Sequence, residues 1–284
     1  MPAIKTKATR WTPAMTDTLL AEYPDNGPYP LMEKLGVGYH AITNKSKRLG
    51  LVYKYRRRDA ARTRSRESTA VKQDFFESWN QDSAYVLGYI WADGCITTTP
   101  KHTLKLGCVH DDKDLITKIQ QVMGSRHTQH FKKAKITNGY LCRPTIRVCI
   151  GCERLVKSLV EIHGLQPAKS KKDLDFPFVP EDLLPHFLRG NYDGDGISST
   201  DIKNRYYAGY CGQPKFVRKV RDILVSKLDI NNNNGSLASP RLMSVTWSAK
   251  KDVEKIFNYL YPPGEYVYLK RRRDWFKQAI GASL

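Results

Sequence analysis

Two nine-residue segments of this chain repeat one pattern, and no other feature narrows the possible folds as far. The first is Val86–Gly94, with the sequence VLGYIWADG, and the second is Leu188–Gly196, with the sequence LRGNYDGDG. Each has an apolar residue, a glycine two positions later, a small residue four positions after that glycine, and a closing Asp-Gly pair. The closing acids, Asp93 and Asp195, lie 102 positions apart. The repeat predicts two similar half-domains, each of which contributes one carboxylate to a shared site.

The spacing within each segment indicates how the two segments pack. On a helix, Gly88 and Ala92 lie on one side, as do Gly190 and Gly194, so each helix carries a smooth stripe of small residues. Two such stripes can pack backbone against backbone, as small residues do where membrane helices cross. The glycine that follows each closing acid suits a left-handed helix end.

The positions of the two carboxylates favour a bound cation. A carboxylate at a helix C-terminus faces the negative end of the helix dipole, and two neighbouring acids repel each other. A divalent cation relieves both effects, and carboxylate oxygens on a sparse site suit Mg²⁺. The alternative is that both segments are ordinary turns after core helices. The matching glycine spacing of the two copies favours the shared site.

The two segments resemble the paired motifs of the LAGLIDADG homing endonucleases in their single-chain form. Phe187–Gly196 is similar to the second motif of that family, whereas Trp91 stands where the first motif usually has an acid. The resemblance runs from about Phe75 to the C-terminus. It implies an α+β fold, namely a pseudo-twofold pair of αββαββα half-domains with saddle-like antiparallel sheets.

The same resemblance implies a metal-dependent DNA endonuclease that hydrolyses both strands of a long double-stranded target and serves intron homing. Asp93 and Asp195 are then catalytic and bind Mg²⁺ or another divalent cation such as Mn²⁺, while Asp193 aligns with an acid that is not a ligand. Basic residues outside the motifs assist catalysis in that family, and Lys105 and Lys250 are candidates. Two alternatives stay open, an intron RNA maturase and a DNA-binding regulator without cleavage. The presence of both acids weighs against the regulator and less against the maturase.

The charge balance predicts a polyanionic partner. The chain of 284 residues carries a formal net charge of +19, and residues 1–72 hold 15 Lys and Arg against 6 Asp and Glu. Such a balance favours nucleic acid, here double-stranded DNA and possibly intron RNA. No apolar run is long enough to span a bilayer, and the N-terminus lacks a secretion signal. We therefore expect no membrane partner and an intracellular monomer, cytoplasmic or nucleoid-associated.

Residues 1–52 are predicted to form a small three-helix domain. Thr12 followed by Pro13 is typical of a helix start, and the first helix is expected to end before Pro24. The unit resembles Myb-like helix-turn-helix domains, whose third helix enters the major groove. The alternative is a protein-binding domain with a solvated basic helix. The third helix, over residues 39–49, exposes four residues expected to bind DNA: Asn44, Lys45, Lys47 and Arg48.

A basic linker is predicted over residues 53–73. Its cations include Arg56, Arg57 and Arg58, which we expect to follow DNA phosphates. The alternative interpretation is a solvated or disordered run of charge.

The half-domains are predicted over residues 74–175 and 176–284. In the first, the pattern indicates helices over 83–93, 112–123 and 153–162, and strands over 96–99, 103–109, 129–136 and 145–150. In the second, it indicates helices over 183–195, 215–228 and 251–259, and strands over 197–200, 205–210 and 242–247.

Each sheet can lay a polar face in a major groove. The candidates for groove contact are Arg143, Thr145, Arg147, Lys203, Arg205 and Tyr207. Arg271, in a basic C-terminal tail, is expected to contact phosphates, and any of these residues could instead be merely solvated.

Overall fold

The computed structural model of the chain describes residues 11–53, 70–137 and 140–281. The fold is α+β, as predicted, and the chain divides into two compact units, Met1–Glu67 and Ser68–Leu284. Arg56, Arg57 and Arg58 of the predicted linker lie outside the described residues.

The described part of the first unit contains three helices: α1 (Pro13–Asn26), α2 (Pro28–Leu35) and α3 (Tyr39–Arg48). The first begins where predicted, because the Thr12 side chain accepts a hydrogen bond from the backbone N–H of Met15. The expectation that α1 ends before Pro24 was wrong, since the helix continues to Asn26. Pro24 lies in the last turn, where the hydrogen bond that its ring removes disturbs only the end of the helix. The small core is formed by Leu19, Tyr23, Leu31 and Ile42.

The first half-domain follows the predicted order of elements, with one additional hairpin before its last strand. Its elements are α4 (Gln81–Asp93), β1 (Cys95–Thr97), β2 (Thr103–Val109), α5 (Lys113–Val122), β3 (Gln129–Lys132), β4 (Lys135–Thr137), β5 (Tyr140–Cys142), β6 (Thr145–Gly151) and α6 (Glu153–Glu161). An antiparallel sheet has the strand order β1-β2-β6-β3. The single strand predicted over residues 129–136 is instead divided, because Lys135–Thr137 pairs with Tyr140–Cys142 in a separate hairpin.

The second half-domain repeats this plan. Its elements are α7 (Leu184–Asp195), β7 (Gly196–Thr200), β8 (Tyr206–Gly212), α8 (Pro214–Leu228), β9 (Ser236–Ser239), β10 (Leu242–Trp247), α9 (Lys250–Leu260) and α10 (Lys270–Ile280). The antiparallel sheet has the order β7-β8-β10-β9. The sequence did not predict β9, because all four of its residues are exposed and it has no apolar alternation. The basic tail forms the helix α10, which Phe276 anchors in the core.

The repeated helices lie at the centre of this unit. Every residue of α4 from Ser83 to Ala92 is buried, and α7 is buried from His186 to Asp193. Alternate residues of the sheets, such as Ile146 and Val148 on β6, face the helices in one continuous core. The other face of each sheet is open. Every described helix is too short or too polar to cross a bilayer.

Candidate metal centre and nucleic-acid interface

The two repeated helices contact each other through their glycines, as predicted. A Cβ atom on Gly88 would lie 1.9 Å from the carbonyl oxygen of Phe187, and one on Gly190 would lie 2.0 Å from that of Tyr85. The two contacts are reciprocal, since both Gly190 and Phe187 lie 102 positions after their counterparts. No side chain fits between backbones at such distances, so both glycines are required for the close approach.

The close approach continues to the closing acids. A Cβ atom on Gly194 would lie 2.5 Å from Cβ of Ala92 and 3.4 Å from Oδ2 of Asp93. Asp93 and Asp195 are the last residues of α4 and α7, and both side chains reach solvent. The structure therefore brings together the two carboxylates that the repeat predicts.

The glycines after the two acids have a different role from the one predicted. Gly94 and Gly196 have φ values of −75° and −66°, so neither adopts the left-handed conformation. Each leads from the helix almost directly into a strand and packs against the preceding helical turn. A Cβ atom would lie 2.6 Å from Cα of Ile90 at Gly94 and 2.3 Å from the carbonyl oxygen of Tyr192 at Gly196. Space, and not backbone freedom, requires glycine here.

The two carboxylates are held in an environment that disfavours their charge. The pKa of Asp93 is raised to about 6, first by partial removal from water and second by the charge of Asp195. Partial burial likewise raises the pKa of Asp195. The cations that lower these pKa values are Lys169 and Arg272, which act on both acids, and Arg271, which acts on Asp93. Both pKa values stay raised in spite of these cations, so additional positive charge beside the two carboxylates would stabilise their ionised form.

Lys169 lies at this centre, and sequence reasoning missed it. Its ammonium group donates hydrogen bonds to the carbonyl oxygens of Trp91, at 2.8 Å, and of Ala92. These are C-terminal carbonyls of α4, so the lysine also neutralises the negative end of that helix. The segment that carries it is held by Gln213, whose side-chain amide donates to the carbonyl oxygens of Lys169, at 2.9 Å, and of Lys172.

A cavity of about 220 Å³ adjoins this lysine and Asp195. Asn191 lines the cavity, is only 3% exposed, and has a side-chain oxygen without a hydrogen-bond partner among the described residues. Asn191 lies one helical turn before Asp195 on α7. An unsatisfied buried oxygen beside a carboxylate is a suitable environment for a water molecule or a hydrated cation.

The two candidate assisting lysines occupy different environments. Lys105 lies on the open face of β2 and pairs in register with Cys95, two residues after Asp93. Lys250 is the first residue of α9, and its Nζ lies 3.6 Å from where a Cβ atom on Gly281 would be. Lys105 is therefore placed on the strand next to the carboxylate, whereas Lys250 lies at the end of α10.

Asp193 and Arg189 belong to the core and not to the carboxylate centre. Asp193 accepts hydrogen bonds from the hydroxyl groups of Tyr85, at 2.7 Å, and Tyr261, at 3.0 Å, and from the backbone N–H of Leu269, at 2.7 Å. Burial raises its pKa to about 6, against the effect of these bonds. Arg189 donates to two backbone carbonyls and is fully buried. Because these bonds join α7 to α4 and to the chain before α10, they fix the angle at which the central helices meet.

The predicted groove residues divide into two groups. Arg147 and Thr145 lie on the open face of β6 and alternate with buried residues, as predicted. Arg205 lies beside its sheet but is held by an ion pair with Asp201, whose carboxylate also accepts the backbone N–H of Lys203 at 2.9 Å. Tyr207, on β8, donates to the same carboxylate at 3.2 Å.

Two other predicted contact residues are engaged in ion pairs. Arg143 lies 2.5 Å from the carboxylate of Asp111, and both side chains are exposed. Arg271 donates from Nε to both carboxylate oxygens of Asp112, at 2.8 and 3.0 Å, which joins α10 to the first half-domain. An exposed pair such as Arg143–Asp111 contributes little stability, so a phosphate can compete for Arg143. Asp112 is buried, so Arg271 is held more firmly by its pair.

Three of the four candidate residues of α3 are exposed to solvent. Asn44, Lys47 and Arg48 are exposed, whereas Lys45 is half-buried with its Nζ 5.7 Å from the ring centre of Trp11. The helix therefore offers two exposed cations and one amide to a partner, and the third cation packs partly on its own unit.

The chain shows similarity to known proteins among solved structures. No protein-family model and no curated protein matches the chain. The structure is similar to that of the homing endonuclease I-WcaI bound to its DNA recognition sequence, with 14% identity, a TM-score of 0.48, and coverage of 74% of this chain and 92% of that chain. It is also similar to I-SmaMI bound to uncleaved DNA target in the presence of calcium ions, with 15% identity, a TM-score of 0.44, and coverage of 72% and 91%. A further similar structure is I-LtrWI bound to target DNA, with 12% identity, a TM-score of 0.45, and coverage of 71% and 90%. I-LtrWI is a LAGLIDADG homing endonuclease, the family that the paired motifs of this chain resemble.

Proposed function

We propose that the protein is a site-specific homing endonuclease of the LAGLIDADG type, which hydrolyses both strands of a long double-stranded DNA target with a divalent cation. One observation carries this proposal. The closing acids of two repeated helices, Asp93 and Asp195, meet at the end of a backbone-to-backbone contact and have raised pKa values. The net charge of +19 supports a polyanionic substrate.

The residues present fit Mg²⁺ or a similar cation. Asp93 and Asp195 supply carboxylate oxygens, and Asn191 adds a neighbouring amide oxygen without a partner among the described residues. The part of the chain that the structure describes contains no cluster of three or more His, Cys, Asp or Glu that would enclose a metal ion. A site with few protein ligands suits Mg²⁺, which keeps several waters and binds substrate phosphates. When bound, the cation supplies an activated water and stabilises charge at the scissile phosphate.

The other residues of the centre prepare this chemistry. Lys169 offsets part of the repulsion between the two carboxylates while it is held by backbone bonds to α4. Lys105, on the strand that pairs with the residues after Asp93, would approach the phosphate backbone from the open sheet face. The open faces of the two sheets would hold the duplex over the carboxylates, and the N-terminal unit would lengthen the contact with DNA.

The test is a selection of cleaved sites from fragmented genomic DNA of the source, with and without Mg²⁺. We expect one recurrent site that is cut only with the cation. Asp93→Asn and Asp195→Asn should abolish cleavage but leave binding largely intact. Asp229→Asn is the matched control, since Asp229 is exposed, lies outside the centre and has a left-handed backbone that asparagine also adopts.

Other outcomes would favour the alternatives. Tight binding to duplex DNA without cutting would favour a regulator, and tight binding only to structured RNA would favour a maturase. Conversion of a supercoiled plasmid only to its nicked form would reject cleavage of both strands.

A further inference from the structure

The open faces of the two sheets differ in charge, although both sheets are built on the same plan. Cys95 pairs with Lys105 between β1 and β2, and Ile197 pairs with Gly209 between β7 and β8. Cys95 and Ile197 each lie two residues after a closing acid. Gly209 therefore occupies in the second sheet the position that Lys105 occupies in the first.

The first sheet presents cationic donors on its open face. Arg147 on β6 pairs in register with Gly107 on β2 and with His130 on β3, so Arg147 and His130 are neighbours on that face. Gly107 has no side chain, and a Cβ atom there would lie 2.8 Å from the carbonyl oxygen of Ile146 and 3.4 Å from Cβ of Arg147. Lys105 lies two residues from Gly107 and hence on the same face. The polar face of this sheet thus carries Lys105, His130, Lys132 and Arg147.

The second sheet presents a neutral face. The strands β7 to β10 contain no Lys, Arg, Asp or Glu. Their open-face residues are instead hydroxyl-bearing, small or apolar, namely Ile197, Ser199, Tyr207, Cys211, Ser244 and Thr246. Cys211 pairs with Ser244 as Gly107 pairs with Arg147, so Ser244 occupies the position of Arg147.

The packing of the second sheet excludes a lysine at the position equivalent to Lys105. A Cβ atom on Gly209 would lie 2.0 Å from the carbonyl oxygen of Val245 and 2.9 Å from Cα of Thr246. Any side chain there would push β10 away from β8. The absence of a cation at this one position is therefore a consequence of how closely these two strands pack.

Cations outside the strands border the second sheet: some lie in its loops, Lys169 lines the same cavity as Cys211, and Arg272 on α10 acts on the Cys211 thiol. Lys203 and Arg205 belong to the connection between β7 and β8, and Arg241 belongs to the turn between β9 and β10. Arg205 is oriented by Asp201, at 2.8 Å. Cations at the ends of a sheet can contact phosphates, which position a protein on DNA without reading its sequence.

We infer that the two halves of the DNA target differ in base composition, with guanine contacts under the first sheet and A·T pairs under the second. The inference rests on the proposed function and deepens it. Arg and Lys side chains recognise guanine through its O6 and N7 atoms. Hydroxyl and apolar side chains have no charged donors for these two atoms. Apolar groups instead contact the thymine methyl group. Strands that carry Ile197 and Thr246 but no cation of their own therefore favour A·T pairs.

A binding selection tests this inference. The full-length protein is incubated in EDTA with a library of randomised duplexes, and the bound duplexes are sequenced. We expect a motif with guanines concentrated in one half and A·T pairs in the other. Arg147→Ala should weaken a guanine preference by about tenfold in the guanine-rich half only. Lys157→Ala is the control, because it removes one positive charge from the exposed side of α6, which packs beneath the same sheet.

Two results of these experiments would refute the inference. Guanine preferences of equal strength in both halves would refute the inference, as would an Arg147→Ala protein that relaxes the A·T half. Either result, combined with Mg²⁺-dependent cleavage of the selected site, would leave the proposed function intact. Failure to bind any duplex would refute both proposals.

Discussion

The ammonium group of Lys169 lies 2.8 Å from the carbonyl oxygen of Trp91 and donates a hydrogen bond to it, at the end of the helix that carries Asp93. A lysine from the connection between the half-domains therefore caps one central helix and places its charge beside both carboxylates. Ala168, directly before it, has a left-handed φ of 56°. A non-glycine residue in this conformation is uncommon, which indicates that the surrounding contacts impose the geometry of this turn.

We predict that Lys169→Met shifts the acidic limb of the cleavage rate to higher pH. The lysine lowers the pKa of Asp93 and of Asp195, so its loss raises both values and delays the ionisation that cation binding requires. Initial cleavage rates measured from pH 5 to 8 check this shift. Lys169→Arg should retain most of the original limb because it keeps the charge. Lys171→Met, an exposed change two residues away, should leave the limb in place.

A second prediction concerns stability without divalent cations. The pKa of Asp93 is about 6 in the folded protein, above its ordinary value of 3.8. The wild type is therefore stabilised by protonation of Asp93 below pH 4 and loses that contribution as the pH rises through 6. We expect Asp93→Asn to unfold at a higher temperature than the wild type at pH 8. Since the side chain reaches solvent, the gain should be about 1 kcal/mol.

Thermal unfolding in EDTA, recorded between pH 4 and pH 8, measures this difference. The gap between Asp93→Asn and the wild type should narrow as the pH falls through 6 and close near pH 4. Asp229→Asn should follow the wild type throughout. A gap that is independent of pH would show that the carboxylate charge is not its cause.

A third prediction concerns the contact between the central helices. Gly88→Ala places a methyl group 1.9 Å from the carbonyl oxygen of Phe187, so the helices must separate. We expect a loss of about 3 kcal/mol or more in the free energy of unfolding, at the upper end of the cost of overpacking. Chemical denaturation checks this value. Gly151→Ala is the control, because nothing lies within 4 Å of its new Cβ atom. A Gly88→Ala protein as stable as this control would contradict the close approach of the two helices.

A fourth prediction concerns the N-terminal unit. If α3 binds DNA, the double substitution of Lys47 and Arg48 by alanine should reduce the affinity for the target. The slope of log affinity against log salt should become shallower by about 0.9 for each DNA phosphate that the variant no longer neutralises. Titrations at several salt concentrations measure it. Lys34→Ala, on α2 and already paired with Glu22, should change the slope less. An unchanged slope in the double variant would mean that this surface does not bind phosphates.

Local spacing along the chain was sufficient to predict the repeat and most of the helices and strands, but not the helix α10. Helical spacing put Gly88 and Gly190 on facing stripes, and the alternation along β6 distinguished the open-face Arg147 from the buried Ile146. These predictions were confirmed because they depend on residues close together in the chain, whose relative positions the backbone geometry dictates.

Contacts between residues far apart in the sequence, by contrast, could be identified only in the folded structure. The hydrogen bond from Lys169 to Trp91 spans 78 positions, and the pairing of Arg271 with Asp112 spans 159. Nothing in the local pattern around Lys169 distinguishes it from the other lysines of the connection. The space available at Gly209 depends on the backbone of a neighbouring strand. Partners, burial and the resulting pKa values are properties of the packed arrangement, which local spacing does not encode.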